Sequence, residues 1–216
     1  MWSFINLALF VAALSALVYF MVRARRNSRE LERRLTELEL EEDHVFDFLH
    51  GIGAAFSEGV RSSELHRLIV ESAVRIMDGA AGALYLANKD CTTLTPSFIT
   101  PGCPPFVTIP EHIQTHASNK QASLDSFQQL QPAVSGEGLI GECWLTGQFR
   151  TATAEEFSSG KSNSAIVGPL IYRHKILGVL AVANGGESVV FSDADLKVFR
   201  TIAEQSAFAL YNEAIY

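Results

Sequence analysis

Three cysteines, a histidine pair and a glycine run are the groups in this sequence best suited to chemistry. Cys91, Cys103 and Cys143 are odd in number and lack C-x-x-C spacing, so they build neither a disulfide framework nor a zinc cluster. They read as reduced thiols of a cytosol-facing domain, and a thiol redox enzyme would need Cys143 to meet a partner such as Cys103. His112 and His116 lie four apart on a short helix expected over Pro110–Ser118, and would hold a metal only with a third ligand from elsewhere. Two solvated histidines are the plainer reading, and no metal, cofactor or catalytic residue is assigned. Gly136-x-Gly138-x-x-Gly141 has dinucleotide-fingerprint spacing, but that motif needs a buried strand just before it, and Gln128-Gln-Leu-Gln-Pro132 is not one. The glycines instead open a short helix through Trp144, with amides that could receive an anionic group.

These groups must be positioned by elements that the hydrophobic pattern defines. Trp2 to Val22 is nearly unbroken apolar sequence, long enough as a helix to cross a bilayer, and Arg23, Arg25 and Arg26 follow it at once. Nothing basic precedes the run, which argues against a cleaved signal peptide. The arginines place the N-terminus outside and the remainder in the cytoplasm, as a single-pass protein of a bacterial inner membrane. Ala8, Ala12 and Ala16 put small residues on one face, where a second such helix can approach closely in the bilayer. Residues 23–43 are rich in Arg and Glu, with Leu31, Leu35 and Leu38 at heptad steps that continue after a break as Val45, Leu49 and Ile52. The seam predicts a parallel homodimeric coiled coil, or alternatively the buried face of the next domain's first helix. A formal net charge of −7 at pH 7, with no basic stripe left unassigned, excludes nucleic acid as a partner.

Residues 44–216 make one globular unit. Ser62 or Ser63 caps an amphipathic helix over Glu64–Met77 whose core face is Leu65, Leu68, Ile69, Ala73 and Ile76. Ala81–Ala87 and Thr92–Ile99 form a hairpin around Asn88–Asp90. Thr100–Ser135, with Pro101, Pro104, Pro105, Pro110 and Pro132, is a long excursion. Phe149–Thr153, Ser164–Tyr172, Ile176–Ala183 and Val189–Phe191 are further strands, and Ser192 caps a closing helix from Asp193 with Leu196, Phe199, Ile202, Ala203, Ser206, Ala207 and Leu210 on its core face. The fold class is α+β: a mainly antiparallel sheet with helices on one face and the long loop over the other.

Gly136-Glu-Gly-Leu-Ile-Gly141 with Thr146-Gly147, Gly168-Pro-Leu170, Ile176-Leu-Gly-Val-Leu180, Phe191-Ser-Asp-Ala-Asp195 and Ala207-Phe-Ala-Leu-Tyr-Asn-Glu-Ala214 resemble, in order, the signature blocks of GAF domains. The resemblance spans about residues 44–216 and implies a GAF/PAS-like sensor fold that binds a small molecule or dimerises. Cyclic-nucleotide-binding members carry an Asn-Lys pair, a Phe and Asp-Glu; Asn184, Phe191 and Asp195 match, but Gly185 and Leu196 replace the Lys and Glu. Methionine-sulfoxide-reducing members place a cysteine immediately before the last glycine, where this chain has Ile140, and there is no Cys-His pair for bilin attachment. An unidentified small-molecule ligand is expected beside Tyr85, Phe98, Ser135, Gly138, Leu139 and Trp144. The layout is similar to the N-terminal part of bacterial sporulation-regulator serine phosphatases, histidine kinases and diguanylate cyclases, a resemblance under which an output domain could follow Tyr216. A dimerising membrane tether with a collapsed pocket is the alternative.

Overall fold

The computed structural model describes residues 62–108, 127–153, 156, 164–185 and 190–214. The expected membrane helix and coiled coil, together with His112 and His116, lie outside the described residues. The elements are α1 (Ser62–Ile76), β1 (Ala81–Ala87), β2 (Thr93–Ile99), β3 (Ala133–Val134), α2 (Gly138–Thr146), β4 (Arg150–Thr153), β5 (Ser164–Tyr172), β6 (Lys175–Asn184) and α3 (Asp193–Glu213). The strands make one antiparallel six-stranded sheet in the order β3-β2-β1-β6-β5-β4.

Alternation along the strands divides the core in two. Leu84, Ile166, Leu170, Leu180 and Val182 face one side, where Leu65, Ile69 and Ala73 of α1 and Phe199, Ile202, Ala203, Ala207 and Leu210 of α3 cover them. Ala81, Ala83, Tyr85, Ala165, Val167, Val179, Ala181 and Ala183 face the other side. There the start of the long loop, with Cys103, Phe106 and Val107, is joined by α2 through Leu139, Ile140 and Cys143. The far face therefore carries a helix as well as the expected loop.

Several boundaries differ from the sequence reading for physical reasons. Ser62 and Ser63 lie within the first turn of α1 rather than capping it. Ala133–Val134, expected as loop, pairs with Thr93 and Leu94 to form the sheet edge. Val190 and Phe191 are not strand. Phe191 instead turns its ring into the helix-side core immediately before the N-cap, at the position from which an apolar residue staples a helix start, with Leu196 in the same core. Ser192 caps α3 as expected, and Asp195 completes a capping box by accepting from the Ser192 amide and hydroxyl, both at 2.7 Å.

Two turns show how local chemistry fixes the hairpins. Asn88 Oδ1 accepts from the amides of Thr92 and Thr93 at 2.8 and 3.2 Å, closing the β1–β2 turn. Between β5 and β6, Tyr172 pairs directly with Lys175, so Arg173 and His174 form a two-residue turn with φ of 46° and 63°. Such a turn suits the sheet twist but ordinarily calls for Asn or Gly, because the left-handed region costs a side-chain-bearing residue about 1–2 kcal/mol. Arg173 has a compensating contact, its guanidinium lying 5.5 Å from the ring centres of both Tyr172 and Tyr211. His174→Gly is therefore expected to raise the unfolding free energy by about 1 kcal/mol, read as a higher urea midpoint at unchanged slope.

Candidate functional site

The far face differs from the helix face in the size of its floor. The strand residues beneath α1 and α3 are mostly Leu, Ile and Val, whereas beneath α2 and the loop Ala81, Ala83, Ala152, Ala165, Ala181 and Ala183 contribute single methyl groups. Tyr85 stands on this floor, 1% exposed. Over it close Phe106, Leu139 and Ile140, with Trp144 partly buried at the margin. Gln128, also 1% exposed, donates through Nε2 to the Cys103 carbonyl at 3.2 Å.

The glycine run holds this cover in place by backbone contact. Gly138 has φ of +64°, and a Cβ there would sit 3.0 Å from the Phe106 carbonyl oxygen, so the loop lies directly on the start of α2. At Gly141 a Cβ would fall 2.0 Å from the Val134 carbonyl oxygen, which pins α2 to β3. The nearby amides serve the same packing: Gly136 donates to Gly141, Glu137 to Val134, Ile140 to Phe106 and Gly141 to Glu137. They are engaged internally, not presented to an anion as the spacing suggested. Opposite them, Arg150 ties α2 to the other edge of the sheet, pairing with Glu142 at 2.5 Å and with Glu156.

The electrostatics keep the enclosed groups neutral. Burial, reinforced by neighbouring Cys103, pushes the Tyr85 hydroxyl well above its ordinary range. Burial also pushes the Cys143 thiol up to about 12, with Arg150 pulling only weakly the other way, and Sγ donates to the Gln148 carbonyl at 3.4 Å. Near neutral pH this interior offers hydroxyl, amide and thiol groups and apolar surface, and Cys143 is not a thiolate.

Of the residues proposed for a ligand, Tyr85, Leu139 and Trp144 come together in this cluster, with Gly138 at the edge of the cover. Ser135 is exposed in the turn after β3. Phe98 packs on the helix side. Its displacement has a local cause: Leu84 pairs with Phe98 and Tyr85 with Pro96, so Ser97 is an extra residue and the alternation reverses after it. Cys103, Phe106 and Gln128 join the cluster from a proline-rich stretch without periodicity, where sequence spacing gave no signal. A separate cavity of about 470 Å³ opens beside Gln148, Phe149, Pro169, Arg200 and Glu204, and none of the proposed ligand residues lines it. Gly141→Ala is expected to cost about 1–3 kcal/mol in unfolding free energy, because the obstacle is a backbone carbonyl rather than a flexible side chain; chemical denaturation reads it directly.

The sequence profile of the GAF domain family matches residues 61–210. No curated protein matches the chain. Among solved structures, the GAF domain of an Acinetobacter phosphoenolpyruvate-protein phosphotransferase is similar at a TM-score of 0.58 and 17% identity, covering 82% of this chain and 95% of that one. The second GAF domain of DevS from Mycobacterium smegmatis is similar at 0.54 and 15% identity, covering 71% and 96%. A methyl-accepting chemotaxis protein, residues 122 to 287, reaches 0.51 and 17% identity, covering 74% and 95%. The ordered signature blocks, the six-stranded sheet and the profile match agree, and the chain belongs to the GAF domain family.

Proposed function

We propose that this protein is a membrane-anchored signal-input module whose GAF domain takes a small, largely apolar molecule on the far face of its sheet. The alanine floor carries this reading. A face that needed only to be sealed would be expected to use the bulky side chains found under α1 and α3, whereas alanines set among Tyr85, Leu94, Val167 and Val179 make a lower floor under a separate cover, which supports a guest between the two. Tyr85 and Gln128 supply uncharged hydrogen-bonding groups, and Leu139 and Trp144 supply apolar contact.

Residues 2–22 anchor the protein in the inner membrane with the N-terminus outside, and the domain works in the cytoplasm as a parallel homodimer joined along Ala8, Ala12, Ala16 and the Leu31–Ile52 seam. The similar domains from a phosphotransferase and a chemotaxis protein support a role as input to an output domain. One observation favours the alternative of a tether without ligand: Phe106, Leu139, Ile140 and Cys143 already pack over the floor.

Native mass spectrometry of the full chain from its own host, followed by denaturation, separates the two. Release of a stoichiometric small molecule, retained about two- to tenfold less tightly by Tyr85→Phe, is the expected outcome. A dimer that carries nothing and ignores a metabolite panel would leave the tether.

A thiol redox role is disfavoured because Cys143 is buried and held protonated. At pH 8 the exposed Cys91 is expected to react with a thiol reagent within minutes, with Cys143 modified only after denaturation. Rapid labelling of Cys143 in the folded protein would reopen that role.

A further inference from the structure

The extra residue in β2 does more than displace Phe98. A bulge bends its strand and re-aims a side chain, and here the Ser97 hydroxyl reaches His66 Nδ1 of α1 at 2.5 Å. The other ring nitrogen, Nε2, lies 3.2 Å from Glu213 Oε2 in the last turn of α3. A carboxylate only accepts, so Nε2 donates to Glu213; in the neutral tautomer that carries this proton, Nδ1 accepts from the Ser97 hydroxyl and both arms are satisfied. The pair is mostly sheltered, with side-chain exposures of 13% for His66 and 23% for Glu213. Three elements far apart in sequence thus meet at one imidazole.

On the opposite side of the same strand, Leu94 is fully buried in the far-face cluster, and Pro96 is paired with Tyr85. Pro96, which has no amide hydrogen to donate, stands directly before the bulge, where a strand accepts proline. A change in packing around Tyr85 therefore acts on the backbone segment that positions Ser97.

We propose that the β2 bulge and the Ser97–His66–Glu213 clasp carry a change at the far face to the last turn of α3, loosening that turn when Ser97 shifts. This rests on the sensor reading only in taking the far face as the place where a signal arrives. Its test needs no ligand.

Hydrogen exchange of amides 208–213 is measured by mass spectrometry on the full chain. Leu94→Val perturbs the far face of β2 without touching the clasp. His66→Gln keeps an N–H for Glu213 but offers Ser97 no matching acceptor, and His66→Asn does the reverse. Leu94→Val is expected to speed exchange at the end of α3 about threefold in the otherwise native chain, and to add nothing in either His66 background, where exchange is already raised. An unchanged α3 end in the Leu94 variant, or equal factors in all backgrounds, would overturn the proposal. Protection of β5 and β6 amides reports that each variant is folded; where a His66 variant fails this check, Glu213→Ala, which removes the acceptor, opens the clasp in its place and is judged by the same outcomes. Coupling in a chain that releases no ligand would sink the sensor reading alone, and a bound ligand without coupling would sink the clasp alone.

Discussion

The fold depends on burying both faces of one antiparallel ladder. Ser164–Leu170 of β5 and Gly178–Asn184 of β6 are buried without a break, so neither side of the sheet is left to water. Such strands must find two covers, and the chain supplies unlike ones: two long amphipathic helices on one side, a short helix and an irregular segment on the other. The helices give the greater share of apolar packing, with Phe149 set edge-on against Phe199 at 6.3 Å extending it to the sheet margin. The thinner cover is held by backbone proximity at Gly138 and Gly141 and by the paired charges of Arg150 at its rim.

This division also allocates the polar groups. Asp195, a position that resemblance had offered for nucleotide recognition, spends its carboxylate on the start of its own helix. Tyr85 and Cys143 stay protonated because of burial, which Cys103 reinforces at the tyrosine and which outweighs Arg150 at the thiol. The interior of the far face is therefore suited to recognising shape and hydrogen bonding rather than charge, and ill suited to nucleophilic work.

Much of the framework was legible in the sequence because it follows from periodicity. β1 and β5 occupy the expected residues, and β6 and α3 differ only at their ends, since alternation, turn residues and a capping serine are local signals. What escaped depended on non-local pairing. Ala133–Val134 is a strand only because the edge of β2 receives it. Phe98 reads as a far-face residue when alternation is counted from Leu94, and nothing in Pro96-Ser-Phe98 declares a bulge except a proline that a regular ladder would resist. Phe191 looked like the end of a strand because a stapling aromatic and a strand aromatic have the same composition.

The alanine floor has a consequence for how such a domain changes over generations. Enlarging Ala83 or Ala181, or trimming a side chain of the cover, alters the volume and outline of the far face while the helix-side core, on the opposite side of the same strands, keeps its packing. Recognition and stability are thus written on alternate residues of the same segments. Selection can redraw one set while conserving the other, which offers a physical route by which domains sharing only 15–17% of their residues with this one preserve its architecture.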